Sequence, residues 1–186
     1  MGKTIAEKIL GAHCGREVSA GDIVICNVDF MMGQDGTSPL AIKSFKEMGG
    51  SKVFNPEKIA MVIDHNSPSP NIRVSSLHQL MREFVNSQKI KLYEIGCGIC
   101  HQLMLEDNVS PGMLVIGADS HTTTYGALNV FATGVGSTDL ASAMISGKIW
   151  FKVPETIKIS IEGKLPEGMG LRISRNAAEY VRQNML

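Results

Sequence analysis

Short apolar runs alternate along this chain with stretches of helical period, and that alternation is its strongest structural constraint. Ile59–Ile63 (IAMVI) is the clearest run. Five consecutive apolar residues leave no polar face, so the segment suits a strand covered on both sides. Lys91–Ile95, Met113–Ile116 and Asp22–Val28 (DIVICNV) read as further strands. Thr4-Ile-Ala-Glu7 is a capping box ahead of Ile9 and Leu10, which predicts a short first helix. Ser38-Pro39 sets an N-cap beside a proline in the first helical turn. That helix carries Leu40, Phe45 and Met48 and stops at Gly49-Gly50. Asn71–Ser87 carries Ile72, Leu77, Leu80, Met81, Phe84 and Val85 on a helical pattern. Thr138–Ile149 reads as another helix, and Thr156–Ile161 alternates as a strand does. Strands interleaved with helices predict a three-layer α/β/α domain with a largely parallel sheet.

The length, 186 residues, suits one such domain. Residues 1–165 form it in this reading. Residues 166–186 form a tail, with a break at Pro166–Gly170 and a lone helix over Asn176–Met185. Lys plus Arg and Asp plus Glu are 18 each, and the resulting zero net charge argues against a nucleic-acid binder. No run of 18 apolar residues exists, so no membrane span is expected. Met1–Leu10 lacks the apolar core of a signal peptide, and four cysteines are too few for a disulfide scaffold, so a reducing cytoplasm is expected. Charged residues are only 19% and glycines number 19, which predicts a surface partly covered by other domains or by a second copy.

Ligands of open α/β sheets bind at the carboxyl ends of the strands. The residues just past each apolar run are therefore the candidates. Asp64-His65 follows IAMVI, Gly96–His101 follows the third run, and Ala118–Thr124 follows Met113–Ile116. Asp29 and Gln34–Thr37 come after DIVICNV. Three of the five histidines thus sit beyond strand ends, two with an Asp within two residues. A carboxylate-held imidazole has a fixed tautomer and a tunable pKa, as a proton donor or acceptor requires.

Cys97-x-x-Cys100-His101 invites a zinc or redox reading. A structural zinc needs four ligands, and Cys14, His13 and Cys26 stand at no recognised spacing, so the cysteines are read as small fillers. Gly134–Asp139 resembles a phosphate cradle without its third glycine and its lysine, and a helix cap by Ser137 or Thr138 is the simpler reading. His13 and His78 show no partner pattern and are read as structural.

Asp64-His65, Gly98–Gln102, Gly117–Thr122, Phe131–Asp139 and Gly147–Thr156 together resemble the aconitase superfamily. The likeness runs over 1–165 and is greatest to its large-subunit branch, the 3-isopropylmalate dehydratases and homoaconitases. The resemblance implies an aconitase-type first domain of an isomerising hydro-lyase, acting on a small hydroxy-acid substrate by dehydration and rehydration. It implies a [4Fe-4S] cluster serving as Lewis acid, a small-subunit partner and further large-subunit domains. By motif, His65 with Asp64 matches the acid that protonates the departing hydroxyl. His101 matches the histidine paired with Asp119. His121 and Ser120 line the pocket, and Gln34 contacts a substrate carboxylate. The cluster cysteines of such large subunits lie in their later part. Cys97 and Cys100 are therefore not assigned as ligands, and no metal is assigned to this chain alone. The alternatives are a homoaconitase or aconitase-type large subunit, or a non-catalytic module that keeps part of the pocket.

Overall fold

A computed structural model describes residues 2–159. Helix α1 (Ile5–Cys14) starts at the expected capping box and stops at Gly15 in the left-handed conformation. Strand β1 is Ile23–Asn27, β2 is Phe30–Gln34, and α2 is Ser38–Glu47 with Pro39 in its first turn. Then come β3 (Ile59–Val62), α3 (Ile72–Gln88), β4 (Lys91–Tyr93) and α4 (Cys100–Asp107). Strand β5 (Leu114–Gly117) leads into a 3-10 segment, Ser120–Leu128. The chain continues through β6 (Phe131–Gly134), α5 (Ser137–Ser146) and β7 (Lys148–Lys152).

Strands β2 to β6 form one all-parallel sheet in the order β4-β3-β2-β5-β6. Its three central strands, β3, β2 and β5, are buried on both faces, as IAMVI predicts, while the edge strands β4 and β6 are partly exposed. Met31, Ile59, Met61, Leu114 and Ile116 pack on one side with Ile42 and Phe45 of α2, Phe84 of α3 and Leu140 of α5. Phe30, Met32, Ala60, Val62 and Val115 pack on the other with Cys100 and Met104 of α4 and with Tyr125. This is the predicted three-layer arrangement. Burying a side chain such as Met61 or Phe45 contributes about 1.5–3 kcal/mol relative to leaving it in water.

Several local expectations need correction. DIVICNV is a strand, but β1 pairs antiparallel with β7 in a separate two-stranded ribbon. Its exposure alternates: Ile23 and Ile25 face outward while Val24 and Cys26 face inward, as a strand covered on one side requires. The strand entering the parallel sheet is β2, hidden in sequence because Met31-Met32-Gly33-Gln34 is not β-branched and ends polar. The expected helix over Thr138–Ile149 ends at Ser146, because Gly147 turns left-handed (φ 71°) and Lys148–Lys152 extends to pair with β1. Leu40 and Met48 are exposed, and Ala41, Ile42 and Phe45 form the buried face of α2 instead. Thr156–Ile159 is irregular rather than a strand. The remainder of that expected strand, the Pro166–Gly170 break and the expected tail helix lie outside the described residues. Among the described residues, no helix is long and apolar enough to cross a membrane.

Candidate active site

The strand order reverses between β2 and β5, so the crevice at their carboxyl ends is the natural ligand position of this sheet. Every candidate side chain but one meets its neighbours there. Asp64 and His65 leave β3, Gln34 ends β2, His101 lies in the first turn of α4, and Asp119 with His121 follows β5.

Asp64 is nearly buried and its two oxygens have different tasks. Oδ1 lies 2.7 Å from Nδ1 of His65, and Oδ2 accepts the Cys100 backbone N–H at 2.7 Å. Ile99, at the cap of α4, supplies no side-chain acceptor, so Asp64 caps this helix from a neighbouring loop. The carboxylate fixes the Nδ1–H tautomer of His65, which leaves Nε2 toward the crevice, 3.8 Å from Oδ2 of Asp119. Burial alone would lower the His65 pKa. The Asp64 hydrogen bond and charge, with the charges of Asp35 and Asp119, outweigh it and hold it above the ordinary 6.5.

Asp119 is the centre of the cluster. Its Oδ1 accepts the His121 N–H at 2.7 Å and lies 3.1 Å from Nδ1 of His121. Its Oδ2 lies 3.5 Å from the Gln34 side-chain amide nitrogen. Nε2 of His101 approaches Oδ1 at 3.2 Å, but off the hydrogen-bond axis, so among the described residues this buried nitrogen has no hydrogen-bond partner. Burial pushes the Asp119 carboxyl up, while the His121 N–H and the imidazoles of His101 and His121 pull harder and hold it below 3.8. The Gln34 carbonyl oxygen is tied by the Gly36 N–H, so its NH₂ group faces the crevice. Ser120, the exception, is exposed and lines an adjoining cleft with Asp119, Thr123, Thr133 and Gly134. Gly134 is required here: a Cβ would stand 2.6 Å from the Asp119 carbonyl oxygen.

Two residues given no role from the sequence complete the site. Tyr125, fully buried, lies with its hydroxyl 3.0 Å from Nδ1 of His101. Burial raises its phenol pKa far above the usual range, so it remains protonated beside that ring. Asp35 is buried behind the Asp64-His65 loop and accepts from it. Its position, next to Gln34 at a strand end, was the available signal. Tyr125 carried none, because a lone Tyr reads as core. His78, read as structural, proves to have a partner: its Nε2 is 3.2 Å from Asp35. His13 likewise meets Asp29 at 2.5 Å, at the opposite end of β2.

Fold and cluster together define a doubly wound α/β domain with a cluster of carboxylates and imidazoles at its switch point. The family model described as the aconitase family (aconitate hydratase) matches residues 7–172, and the chain belongs to that family. It is 47% identical over 171 residues to the 3-isopropylmalate dehydratase large subunit 1 of Methanopyrus kandleri, covering 91% of this chain and 41% of that protein. It is 52% identical to the Thermotoga maritima large subunit 1 over 91% of this chain and 40% of that protein. Against the Pyrococcus furiosus large subunit 1 the figures are 55%, 88% and 40%. The chain thus spans about 40% of the length of these relatives.

The family generally binds a [4Fe-4S] cluster, which thiolates hold. The described residues do not fit that demand. Their convergent donor groups are Asp64, His65 and Cys100, and His101, Asp119 and His121, with one cysteine between them. Burial and the nearby Asp64 carboxylate push the Cys100 thiol up beyond the usual range, and burial pushes Cys26 up to about 11. Both remain thiols, and Cys97 is exposed.

Proposed function

We propose that this chain is the first domain of the large subunit of an iron–sulfur hydro-lyase of the 3-isopropylmalate dehydratase type, and that it supplies acid–base groups for dehydration and rehydration of a hydroxy acid. The observation that carries the reading is the Asp64–His65 pair, tied at Nδ1 and open at Nε2 toward the switch-point crevice. Hydroxide is a poor leaving group, and protonation as the C–O bond breaks removes that barrier. His65 holds this proton on Nε2 when charged and takes one back when water is re-added, while the hydrogen on the neighbouring carbon leaves as a proton to a base supplied by the small subunit. Asp119 keeps His121 oriented on the crevice, Tyr125 holds His101 beside it, and Ser120 extends its wall. The Gln34 NH₂ donates to a substrate carboxylate.

The cluster cysteines, in this reading, come from the remainder of the large subunit, and a small subunit closes the pocket. Among the described residues, no step is assigned to the cluster. Cys14, Cys26, Cys97 and Cys100 are all free thiols, which suits a reducing cytoplasm.

The test is assembly. The chain is joined with the remaining large-subunit segment and a small subunit, loaded anaerobically with iron and sulfide, and assayed for interconversion of hydroxy acid and unsaturated acid. Isopropylmalate, homoaconitate and aconitate compared as substrates decide between the dehydratase and the homoaconitase or aconitase reading. Turnover is expected from the assembly and not from the chain alone, and His65→Gln is expected to lower kcat by about 10²–10⁴. A loaded assembly with no turnover on any of the three acids would leave the non-catalytic module as the correct reading.

A further inference from the structure

The loop bearing Asp64 and His65 does not hold itself in place. Three consecutive backbone N–H groups turn inward and meet one carboxylate. Asp35 Oδ1 accepts from Asp64 N at 3.2 Å and from His65 N at 2.9 Å, and Oδ2 accepts from Asn66 N at 2.8 Å. The Asn66 side-chain amide adds a bond at 3.0 Å, and His78 of α3 closes the far side at 3.2 Å. The Asp35 and His78 side chains are 0% and 2% exposed. Burying a carboxylate is costly unless its lone pairs are filled, and here donors from the loop and from α3 fill them.

Asp35 also stands next to Gln34 at the end of β2, whose side chain reaches Asp119 on the other side of the crevice. Two adjacent residues, the last of β2 and the first of the turn after it, therefore tie the loop after β3 and the loop after β5 to the same point. We propose that Asp35 is a positioning residue for the acid–base pair. It grips the backbone of residues 64–66 so that the Asp64 carboxylate bridges His65 and α4, and His78 is the partner that makes its burial tolerable. The grip is read from geometry, and its catalytic consequence rests on the reading of His65 as proton donor.

A purely structural carboxylate would, when neutralised, weaken the whole domain evenly. A positioning carboxylate loosens one loop. The full 186-residue chain carrying Asp35→Asn is compared with wild type by amide hydrogen exchange and by ¹⁵N shifts of the His65 ring. Exchange at residues 64–66 is expected to quicken by about tenfold relative to core amides of β3 and β5. The His65 ring is expected to lose its single Nδ1–H tautomer. In the assembled enzyme kcat should fall with KM little changed. Uniform acceleration across the sheet, or none in the loop, overturns the proposal. If Asp35→Asn does not fold, Asn66→Ala decides, since it removes only the side-chain link. Faster exchange at His65 and Asn66 supports the grip, and unchanged exchange refutes it. Should the wild-type assembly show no turnover, the exchange and ring-shift results still stand. The functional reading would then fail while the positioning role survives.

Discussion

Replacing Asp64 with Asn keeps the shape and removes the charge, so it separates the two tasks of this side chain. The Asn carbonyl can still accept the Cys100 N–H, which places the NH₂ group against Nδ1 of His65. A carboxylate there accepts a proton, whereas an amide donates one, so the neutral ring is expected to switch to the Nε2–H tautomer. A charge-assisted hydrogen bond is worth about 1.5–3 kcal/mol. His65 is 39% exposed, so solvent screening reduces this to about 1 kcal/mol, and the ring's pKa is expected to fall. Loss of the charge at the start of α4 adds about 0.3–1 kcal/mol.

The His65 pKa is raised in the folded chain, so its contribution to stability is present below 6.5 and fades as pH rises through the folded value. The stability gap between wild type and Asp64→Asn should therefore be wider at about pH 5 than at about pH 8.5. Urea unfolding at the two pH values measures the gap, and NMR titration of the His65 ring measures the shift. A variant in which the ring titrates at or above the wild-type value would refute the assignment of Asp64 as the main group raising it. A gap that widens with pH would refute the sign.

Gly134→Ala should displace the Asp119 carbonyl and cost about 1–3 kcal/mol, with NMR shift changes concentrated at residues 119–122; changes spread evenly over the sheet would contradict the close approach. Tyr125→Phe removes the hydrogen-bond partner of Nδ1 of His101, so a loss of about 1 kcal/mol is expected together with altered ¹⁵N shifts of that ring, and unaltered shifts would sever Tyr125 from the site. Anaerobic iron and sulfide reconstitution of the chain alone should yield no stoichiometric [4Fe-4S] species by absorbance and iron analysis, since at most one cysteine enters each convergent group. A stable brown cluster on the isolated chain would overturn the donor-set argument.

The layer architecture was legible because it depends on local pattern. IAMVI has no polar face, and a strand with no polar face needs cover on both sides wherever it sits. The capping box at Thr4 and the Asn71 cap of α3 involve residues three apart, so they too could be read from the chain. The strand-end rule likewise singled out Asp64, His65, His101, Asp119 and His121, because chemistry-bearing residues in such folds follow the strands.

Tertiary structure decided the rest, because it concerns pairs far apart in sequence. Asp35 and His78 are separated by 43 positions and Gln34 and Asp119 by 85, and no periodicity links them. DIVICNV left the parallel sheet because β7 offered it an antiparallel partner, a fact of three-dimensional neighbourhood rather than of composition. The residue types that could do acid–base chemistry are written in the chain. Asp64 with His65 and Asp119 with His121 are neighbours in the chain, but the pairing of Asp35 with His78 and the convergence of both pairs on one crevice are set only when the strand order places β2 between β3 and β5.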